Sequence, residues 1–170
     1  MNGMTGTTVN AAGQEVPSSE VEVDVRYKET DQMGVVHHSN YLVWFELART
    51  HHCRAAGMAY RNIEDEGYWL MVTGVQLKYR GAARYGDTVR VVCWLERLKS
   101  RAMSFGYRTE VGGKVLVEGR TDHVWVDREP GNHCRMPEVV VPIFRSMAGQ
   151  EPQRRQSRRG LRDWPQPPPP

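Results

Sequence analysis

RYKETDQMGVVHHSNYLVWFELARTHHCRAAG, residues 26–57, is the stretch that decides the fold of this chain. It begins at the end of a strand predicted over residues 21–27, where VEVDVRY alternates apolar and charged side chains with a period of two. Gly34 then permits a sharp turn, and Ser39 or Asn40 can cap a helix. The stretch therefore predicts a strand, a tight turn and a long helix in direct succession.

The predicted helix covers residues 41–57 and is apolar over most of its surface. Its apolar and aromatic residues recur every three to four positions, at Tyr41, Trp44, Phe45, Ala48, His52 and Ala55. Leu42, Val43 and Leu47 widen this surface beyond a narrow stripe. We therefore expect a helix that is covered on most sides and that ends at Gly57, a residue type suited to the position after a helix.

Downstream of the helix the chain changes to patterns typical of strands. A short amphipathic segment follows the helix at residues 59–67, and four strands are predicted over residues 69–81, 88–100, 102–111 and 114–127. Gly112-Gly113 joins the last two strands and is typical of a two-residue hairpin turn, and residues 137–144 favour a frayed turn or short helix. This order predicts an α+β fold whose antiparallel sheet covers the helix with one face.

The 170 residues predict one domain, folded over residues 21–147. Residues 1–20 and the Arg/Pro-rich tail at 148–170 are predicted to be disordered, because neither can bury enough apolar surface to offset its ordering entropy. Five of the 23 basic and two of the 20 acidic residues lie beyond residue 150, so the rest of the chain carries 18 of each. This balance disfavours a nucleic-acid-binding body.

Cysteine usage and hydropathy indicate a cytoplasmic protein. The three cysteines form no CxxC motif, which disfavours both a disulfide scaffold and a zinc knuckle. The sequence His51-His52-Cys53 invites a metal-site interpretation, but adjacent helical positions point about 100° apart and cannot converge on one ion. We expect no metal, no resident cofactor, no signal peptide and no membrane span, since no apolar run approaches ~18 residues.

Asp31 is the strongest candidate for chemistry, because it follows a strand and precedes a glycine turn and a helix start. A carboxylate there would lie beside the unpaired N–H groups and partial positive charge of the helix N-terminus. That arrangement suits acyl transfer, in which the carboxylate attacks a carbonyl or activates water and the amides stabilise the oxyanion. The alternative is a structural Asx turn between Asp31 and nearby amides.

His38 and Tyr27 are the candidate partners of Asp31. His38, next to the helix start, could donate a hydrogen bond or transfer a proton near neutral pH, or simply lie on the surface as a capping residue. Tyr27, four residues before Asp31, could orient the carboxylate, although a strand tyrosine is more commonly a core residue with its hydroxyl at the rim.

Four further residues are candidates for substrate binding. Glu46 interrupts an apolar helix, and since buried Glu is rare unless paired, we expect it to support the site with Asn40 or a backbone group as partner, or else to be partly exposed. Lys99 and Arg101, at a turn between strands, could hold phosphates or keep a hairpin soluble.

A run of spaced residues resembles the acyl-CoA thioesterases of the hotdog fold. The run is Tyr27-x-x-x-Asp31-x-x-Gly34-x-Val36-x-His38-x-Asn40-Tyr41, followed by Trp44-Phe45-Glu46, Ala48-Arg49 and Arg80-x-x-Ala83-Arg84-Tyr85-x-Asp87. The similarity is greatest to the 4-hydroxybenzoyl-CoA thioesterase group and its Tol-Pal-associated branch. The resemblance implies a long central helix wrapped by a five-stranded antiparallel sheet, assembly into homodimers or homotetramers, and active sites at the dimer interface.

The resemblance also implies roles for individual residues. Asp31 matches the catalytic aspartate of the family, and the backbone N–H of His38 matches the donor that polarises the thioester carbonyl. Tyr27 and His38 match residues proposed to act with the aspartate in the Tol-Pal-associated branch. The turn at residues 99–101 falls near the segment that grips the nucleotide phosphates of CoA, and His37 stands where the family often has Tyr.

The sequence therefore predicts an acyl-CoA thioesterase, with Asp31 as general base or nucleophile. The alternative is a binding module of the same fold that holds an acyl-CoA or an acyl carrier without turning it over. A hotdog hydratase or dehydratase is disfavoured, because the acid-and-histidine motif of those enzymes is not found.

Overall fold

The computed structural model describes residues 4–150, apart from the side chain of Tyr60. The strands are β1 (Gly6–Val9), β2 (Glu15–Asp24), β3 (Tyr68–Tyr79), β4 (Thr88–Leu98), β5 (Ala102–Val111) and β6 (Lys114–Asp127). The α-helices are α1 (Asn40–Ala55), α2 (Tyr60–Asp65) and α3 (Val141–Met147), and short 3-10 helices lie at Tyr27–Glu29 and Glu138–Val140.

All six strands form one antiparallel sheet in the order β1-β2-β4-β5-β6-β3. This arrangement confirms the predicted α+β class and the four consecutive strands that follow the helices. Gly112 and Gly113 both have positive φ, 57° and 80°, as the predicted two-residue hairpin turn requires. The resemblance implied five strands, and the sixth is β1.

The N-terminal segment differs from its prediction. Disorder was expected over residues 1–20, whereas β1 and the first half of β2 form a hairpin within that range. The Asn10 side chain closes the turn by accepting hydrogen bonds from the amides of Ala12 and Gln14, both at 3.0 Å. The backbone hydrogen-bonding groups of β2 then pair with β4. This stabilisation comes from a strand distant in sequence, so the local composition does not predict it. The predicted tail lies outside the described residues from position 151 onward.

The long helix α1 packs on the inner face of the sheet, over β2 and β4. Its aromatic residues are buried, and the ring of Phe45 stacks on Tyr107 at 4.3 Å between centroids and 5° between planes. The Phe45 ring occupies the space that a Cβ at Gly119 of β6 would need. A glycine in this strand therefore makes room for a close approach of the helix side chain to the sheet.

A polar cluster lies buried between α1 and the sheet. The hydroxyl of Ser19 lies 2.8 Å from Nδ1 of His52, whose side chain is fully buried on α1. On β6, Nε2 of His123 lies 2.7 Å from the Thr121 hydroxyl and 3.3 Å from the Arg49 guanidinium. Burial lowers the pKa of His52 to about 4 and that of His123 to about 3, and in His123 the charge of Arg49 adds to the effect. Both imidazoles are therefore neutral at pH 7.

One side of α1 and one edge of the sheet remain uncovered in the single chain. Leu42, Val43 and Leu47 are exposed on α1, so the expectation that the helix is covered on most sides is wrong for one chain alone. Within the described residues β3 pairs with β6 on one side only, and its apolar Val72 and Val75 are exposed. Among residues 4–150, no helix has both the length and the hydropathy of a membrane-spanning segment.

Candidate active site

The candidate site is built on the loop that joins the 3-10 helix at Tyr27–Glu29 to α1. Thr30 and Val36 form an isolated antiparallel bridge across this loop. Inside the bridge, the Asp31 amide donates to the Val35 carbonyl and the Gly34 amide donates to the Asp31 carbonyl, both at 2.9 Å. Gly34 has a φ of +70°, which few residues other than glycine adopt readily. Asp31 therefore occupies the first position of a tight turn with a fixed backbone.

The Asp31 carboxylate forms the Asx turn that was the alternative interpretation of this residue. Its Oδ1 accepts a hydrogen bond from the Met33 amide at 2.8 Å. No hydrogen bond to its Oδ2 is found from any residue in the described part of the chain. The side chain is half-buried. The Asx turn thus orients the carboxylate and leaves one oxygen able to act as a base or nucleophile.

His38 lies two residues before the start of α1. Its carbonyl accepts a hydrogen bond from the Tyr79 hydroxyl at 3.0 Å, and its exposed ring lies 4.0 Å from that of His37. Its backbone N–H donates to none of residues 4–150. The 16 residues of α1 place the positive end of a helix macrodipole beside this unpaired donor. Such an N–H can bind a developing oxyanion.

Asn40 and Glu46 do not form the predicted pair. The Asn40 amide nitrogen donates instead to the Glu29 carbonyl at 2.8 Å, which ties the start of α1 to the 3-10 helix. Glu46 is exposed on α1 and makes no hydrogen bond within the part of the chain that the structure describes. Like Leu42 and Val43, it lies on the side of α1 that no other part of the described chain covers.

Tyr27 is placed near the turn but is not hydrogen bonded to Asp31. Its side chain is 78% exposed, and its ring packs edge-on against Tyr85 at 5.7 Å between centroids. The Tyr27 carbonyl accepts hydrogen bonds from both the amide and the hydroxyl of Thr30. Its backbone therefore shapes the loop, whereas an orienting role for its hydroxyl stays a prediction.

Lys99 and Arg101 lie at the opposite end of the sheet from Asp31. The Asp31 end of the sheet is marked by Tyr79, which contacts His38. Tyr79 pairs with Val117 of β6, and Val117 pairs with Thr109 near the end of β5. The turn at residues 99–101 instead comes just before Ala102, where β5 begins. The seven-residue separation along β5 corresponds to about 20 Å. One chain does not bring these cations to the candidate carboxylate.

Glu29 is a residue of this region that the sequence analysis missed. Its carboxylate is 3% exposed and accepts hydrogen bonds from the Arg26 amide at 2.8 Å, the Arg26 guanidinium at 2.7 Å and Trp44 Nε1 at 3.2 Å. The Arg26 side chain holds the pKa of Glu29 below its usual value, against the opposing effect of burial. The Arg-x-x-Glu spacing immediately before Asp31 was the available signal.

The histidine pair on α1 has no metal-like arrangement. Within residues 4–150, no group of three or more His, Cys, Asp or Glu side chains is placed to hold an ion. His52 contacts Ser19, and Cys53 is buried. The groups that the structure places near Asp31 are its carboxylate, the backbone amides of the turn and the start of α1.

Comparison with known proteins connects this geometry to one superfamily. A family described as the thioesterase-like superfamily matches residues 25–144. A putative acyl-CoA thioesterase, YneP of Bacillus subtilis, is 36% identical over 112 residues, 65% of this chain and 81% of that protein. The acyl-CoA thioesterase YbgC of Haemophilus influenzae is 31% identical over 123 residues, 72% of this chain and 90% of that protein. The crystal structure of hypothetical protein TT1821 from Thermus thermophilus has a TM-score of 0.70 and 39% identity, covering 80% of this chain and 99% of its own.

Proposed function

The chain belongs to the thioesterase-like superfamily and is a hotdog-fold thioester hydrolase, and we propose that it hydrolyses acyl-CoA with Asp31 as the catalytic carboxylate. One observation carries the assignment of the site. A turn-locked carboxylate precedes, by seven residues, a backbone N–H at the start of a long helix, and among residues 4–150 neither Oδ2 of the carboxylate nor this N–H has a hydrogen-bond partner. Neither group alone would point to acyl transfer, but that reaction needs both.

The proposed reaction begins at the thioester carbonyl. Either Asp31 Oδ2 takes a proton from water, whose oxygen then attacks the carbonyl carbon, or the carboxylate attacks directly and water hydrolyses the resulting anhydride. The carbonyl oxygen becomes negative and accepts a hydrogen bond from the His38 amide. One such donor is typically worth ~3 kcal/mol of transition-state stabilisation. The C–S bond then breaks, and CoA leaves as a thiolate, which needs no strong acid to assist it.

The substrate-binding part of the proposal depends on a second copy of the chain. The unpaired edge of β3 and the exposed apolar residues beside it support a homodimer in which the two β3 strands pair antiparallel. A two-fold axis near the middle of β3 would make the strands of the partner's sheet run opposite to those of the first chain. Lys99 and Arg101 of the partner subunit would then lie at the same end as Asp31. This placement supports their assignment to the phosphates of CoA, which neither residue reaches within one chain.

The cysteines support the predicted cytoplasmic location. Cys53, Cys93 and Cys134 form no disulfide within the described residues, and Cys53 and Cys93 are buried on α1 and β4. Cysteines that form no disulfide are typical of proteins from reducing compartments.

The decisive experiment is thiol release from a panel of short-chain, long-chain and aromatic acyl-CoAs by the native chain and Asp31→Asn. We expect the native chain to release CoA and Asp31→Asn to lose at least a hundredfold in kcat. Asp65→Asn is the matched control, since Asp65 is exposed on α2, and it should retain full activity. Near-normal hydrolysis by folded Asp31→Asn would refute the assignment of Asp31. Tight acyl-CoA binding by the native chain without thiol release would favour a binding module.

A further inference from the structure

We propose that Glu29 is a positioning residue that fixes Asp31 and the His38 amide relative to each other, an inference that rests on the proposed function. Glu29 is two residues before Asp31, and its main-chain carbonyl accepts a hydrogen bond from the amide of His37, the residue before His38. Its side chain is anchored to α1 through Trp44. One residue thus joins the three parts of the site: the carboxylate turn, the oxyanion donor and the helix.

The main chain of Glu29 makes the first connection. Its carbonyl accepts hydrogen bonds from the His37 amide and from the Asn40 side-chain amide, each at 2.8 Å. The peptide bond that follows His37 contains the His38 N–H, so the carbonyl of Glu29 sets the position of that donor. Both hydrogen bonds cross the loop that carries Asp31, and together with the Thr30–Val36 bridge they hold the two ends of the loop at a constant separation.

The side chain of Glu29 makes the second connection. Its two carboxylate oxygens bind three donors: the amide and guanidinium of Arg26 and the indole of Trp44. Trp44 is itself 1% exposed on α1, so the carboxylate docks the 3-10 helix onto the helix core rather than onto solvent. A buried carboxylate is tolerated only with such a donor set. The Arg26 side chain is exposed and can turn to water, so loss of the charge would mainly weaken the hydrogen bond to the buried Trp44 indole.

Glu29 cannot itself be the catalytic carboxylate in this arrangement. Both of its oxygens accept hydrogen bonds and the side chain is buried, whereas Asp31 is half-buried and its Oδ2 has no hydrogen-bond partner in the described part of the chain. A displacement of about 1 Å in a reacting geometry can lower a rate a hundredfold. The groups proposed to bind the CoA phosphates would come from the partner subunit, whereas the side chain of Glu29 is hydrogen bonded to Arg26 and Trp44 of its own chain. A change at Glu29 should therefore lower kcat and leave KM nearly unchanged.

The test compares Glu29→Gln with Glu20→Gln in the thiol-release assay. Glu20 also pairs with an arginine, Arg90, but on the outer face of the sheet. We expect Glu29→Gln to lower kcat at least tenfold with KM within twofold of native, in protein whose circular dichroism is native, and Glu20→Gln to change neither constant more than twofold. A folded Glu29→Gln protein that keeps kcat within twofold of native would overturn the inference.

Two further variants separate positioning from a general loss of structure. In the Asp31→Asn protein, adding Glu29→Gln should slow the remaining reaction by less than threefold, because the effects of residues that act as one unit are not additive. A further tenfold loss relative to Asp31→Asn alone would contradict a role of Glu29 through Asp31. Trp44→Phe keeps an aromatic core residue and removes one donor, and it decides the matter if Glu29→Gln does not fold. We expect a kcat at least threefold lower at constant KM, and an unchanged kcat would refute the inference. If Asp31→Asn remains active the proposed function fails, whereas loss in Asp31→Asn with retention in Glu29→Gln refutes only the role of Glu29.

Discussion

The two buried histidines predict that mild acid destabilises this protein. His52 and His123 are 0% and 1% exposed, and their pKa values fall to about 4 and about 3 in the fold from about 6.5 in an unfolded chain. Below pH 6.5 the unfolded chain therefore binds two protons that the native state does not bind. Stability falls as the pH decreases through this window, because protons favour the state that binds them.

The magnitude follows from the difference in proton binding. Between pH 7 and pH 5 each histidine that stays neutral in the fold should lower the free energy of unfolding by about 2 kcal/mol, or about 4 kcal/mol for the pair. Carboxylates add little over this range, since their ordinary pKa values lie near 4. Arg49 and Asp122 act on His123 with opposite sign, and His51 adds to the effect of burial on His52. Burial remains the main cause for both histidines.

The assay is urea denaturation at pH 7, 6 and 5, at one protein concentration so that any assembly contributes equally. His52→Asn keeps a polar group near Ser19 but cannot bind a proton. We expect the loss of stability between pH 7 and pH 5 to be about 2 kcal/mol smaller in this variant than in the native chain. His133→Gln, at an exposed position, should change the pH dependence little. An identical pH dependence for native and His52→Asn would refute the reasoning.

Two further predictions test the proposed assembly. Val75 of β3 is 44% exposed, and Val75→Asp places a charge there. We expect analytical ultracentrifugation to show a shift of this variant from dimer to monomer, with loss of thiol release, whereas Val9→Asp on the opposite edge of the sheet should change neither. A dimeric Val75→Asp protein would contradict pairing through β3. Replacement of both Lys99 and Arg101 by Ala should raise KM for acyl-CoA about a hundredfold with little effect on kcat, because each of the two charge-assisted hydrogen bonds is worth roughly 1.5 kcal/mol and about 1.4 kcal/mol corresponds to a factor of ten. Acyl-pantetheine, which lacks the nucleotide phosphates, should show no such change, and an equal rise in KM for both substrates would contradict the assignment.

The sequence predicted the central elements well, because their signals are local. The three-to-four spacing from Tyr41 to Ala48 and the glycine pair at 112–113 depend only on the period of the helix and on turn geometry. Asp31 was likewise identifiable from its place between a strand and a glycine turn. The Asx turn and the proposed role of Asp31 as a base are compatible, since the turn engages Oδ1 and the proposed role uses Oδ2.

The errors of the sequence analysis share one physical cause. The N-terminal hairpin has too few apolar residues to predict a strand, yet it is ordered through pairing of β2 with the edge of β4. For Glu46, a partner in Asn40 or a backbone group was preferred over a partly exposed position, but Glu46 is exposed and Asn40 donates to a carbonyl eleven residues earlier in the chain. In each case the partner is distant in sequence, and no local pattern identifies it.

The sequence by itself determined the class of fold and the order of the elements from α1 onward, and it supplied the carboxylate on which the proposed chemistry depends, because periodicity, turn residues and a spaced motif are properties of neighbouring residues. Only the tertiary structure decided which groups meet. It joined Glu29 to Trp44, left the His38 amide without a partner within the described residues, and placed Lys99 and Arg101 at the far end of the sheet. These outcomes depend on strand register and on burial, which arise only when segments distant in sequence pack together.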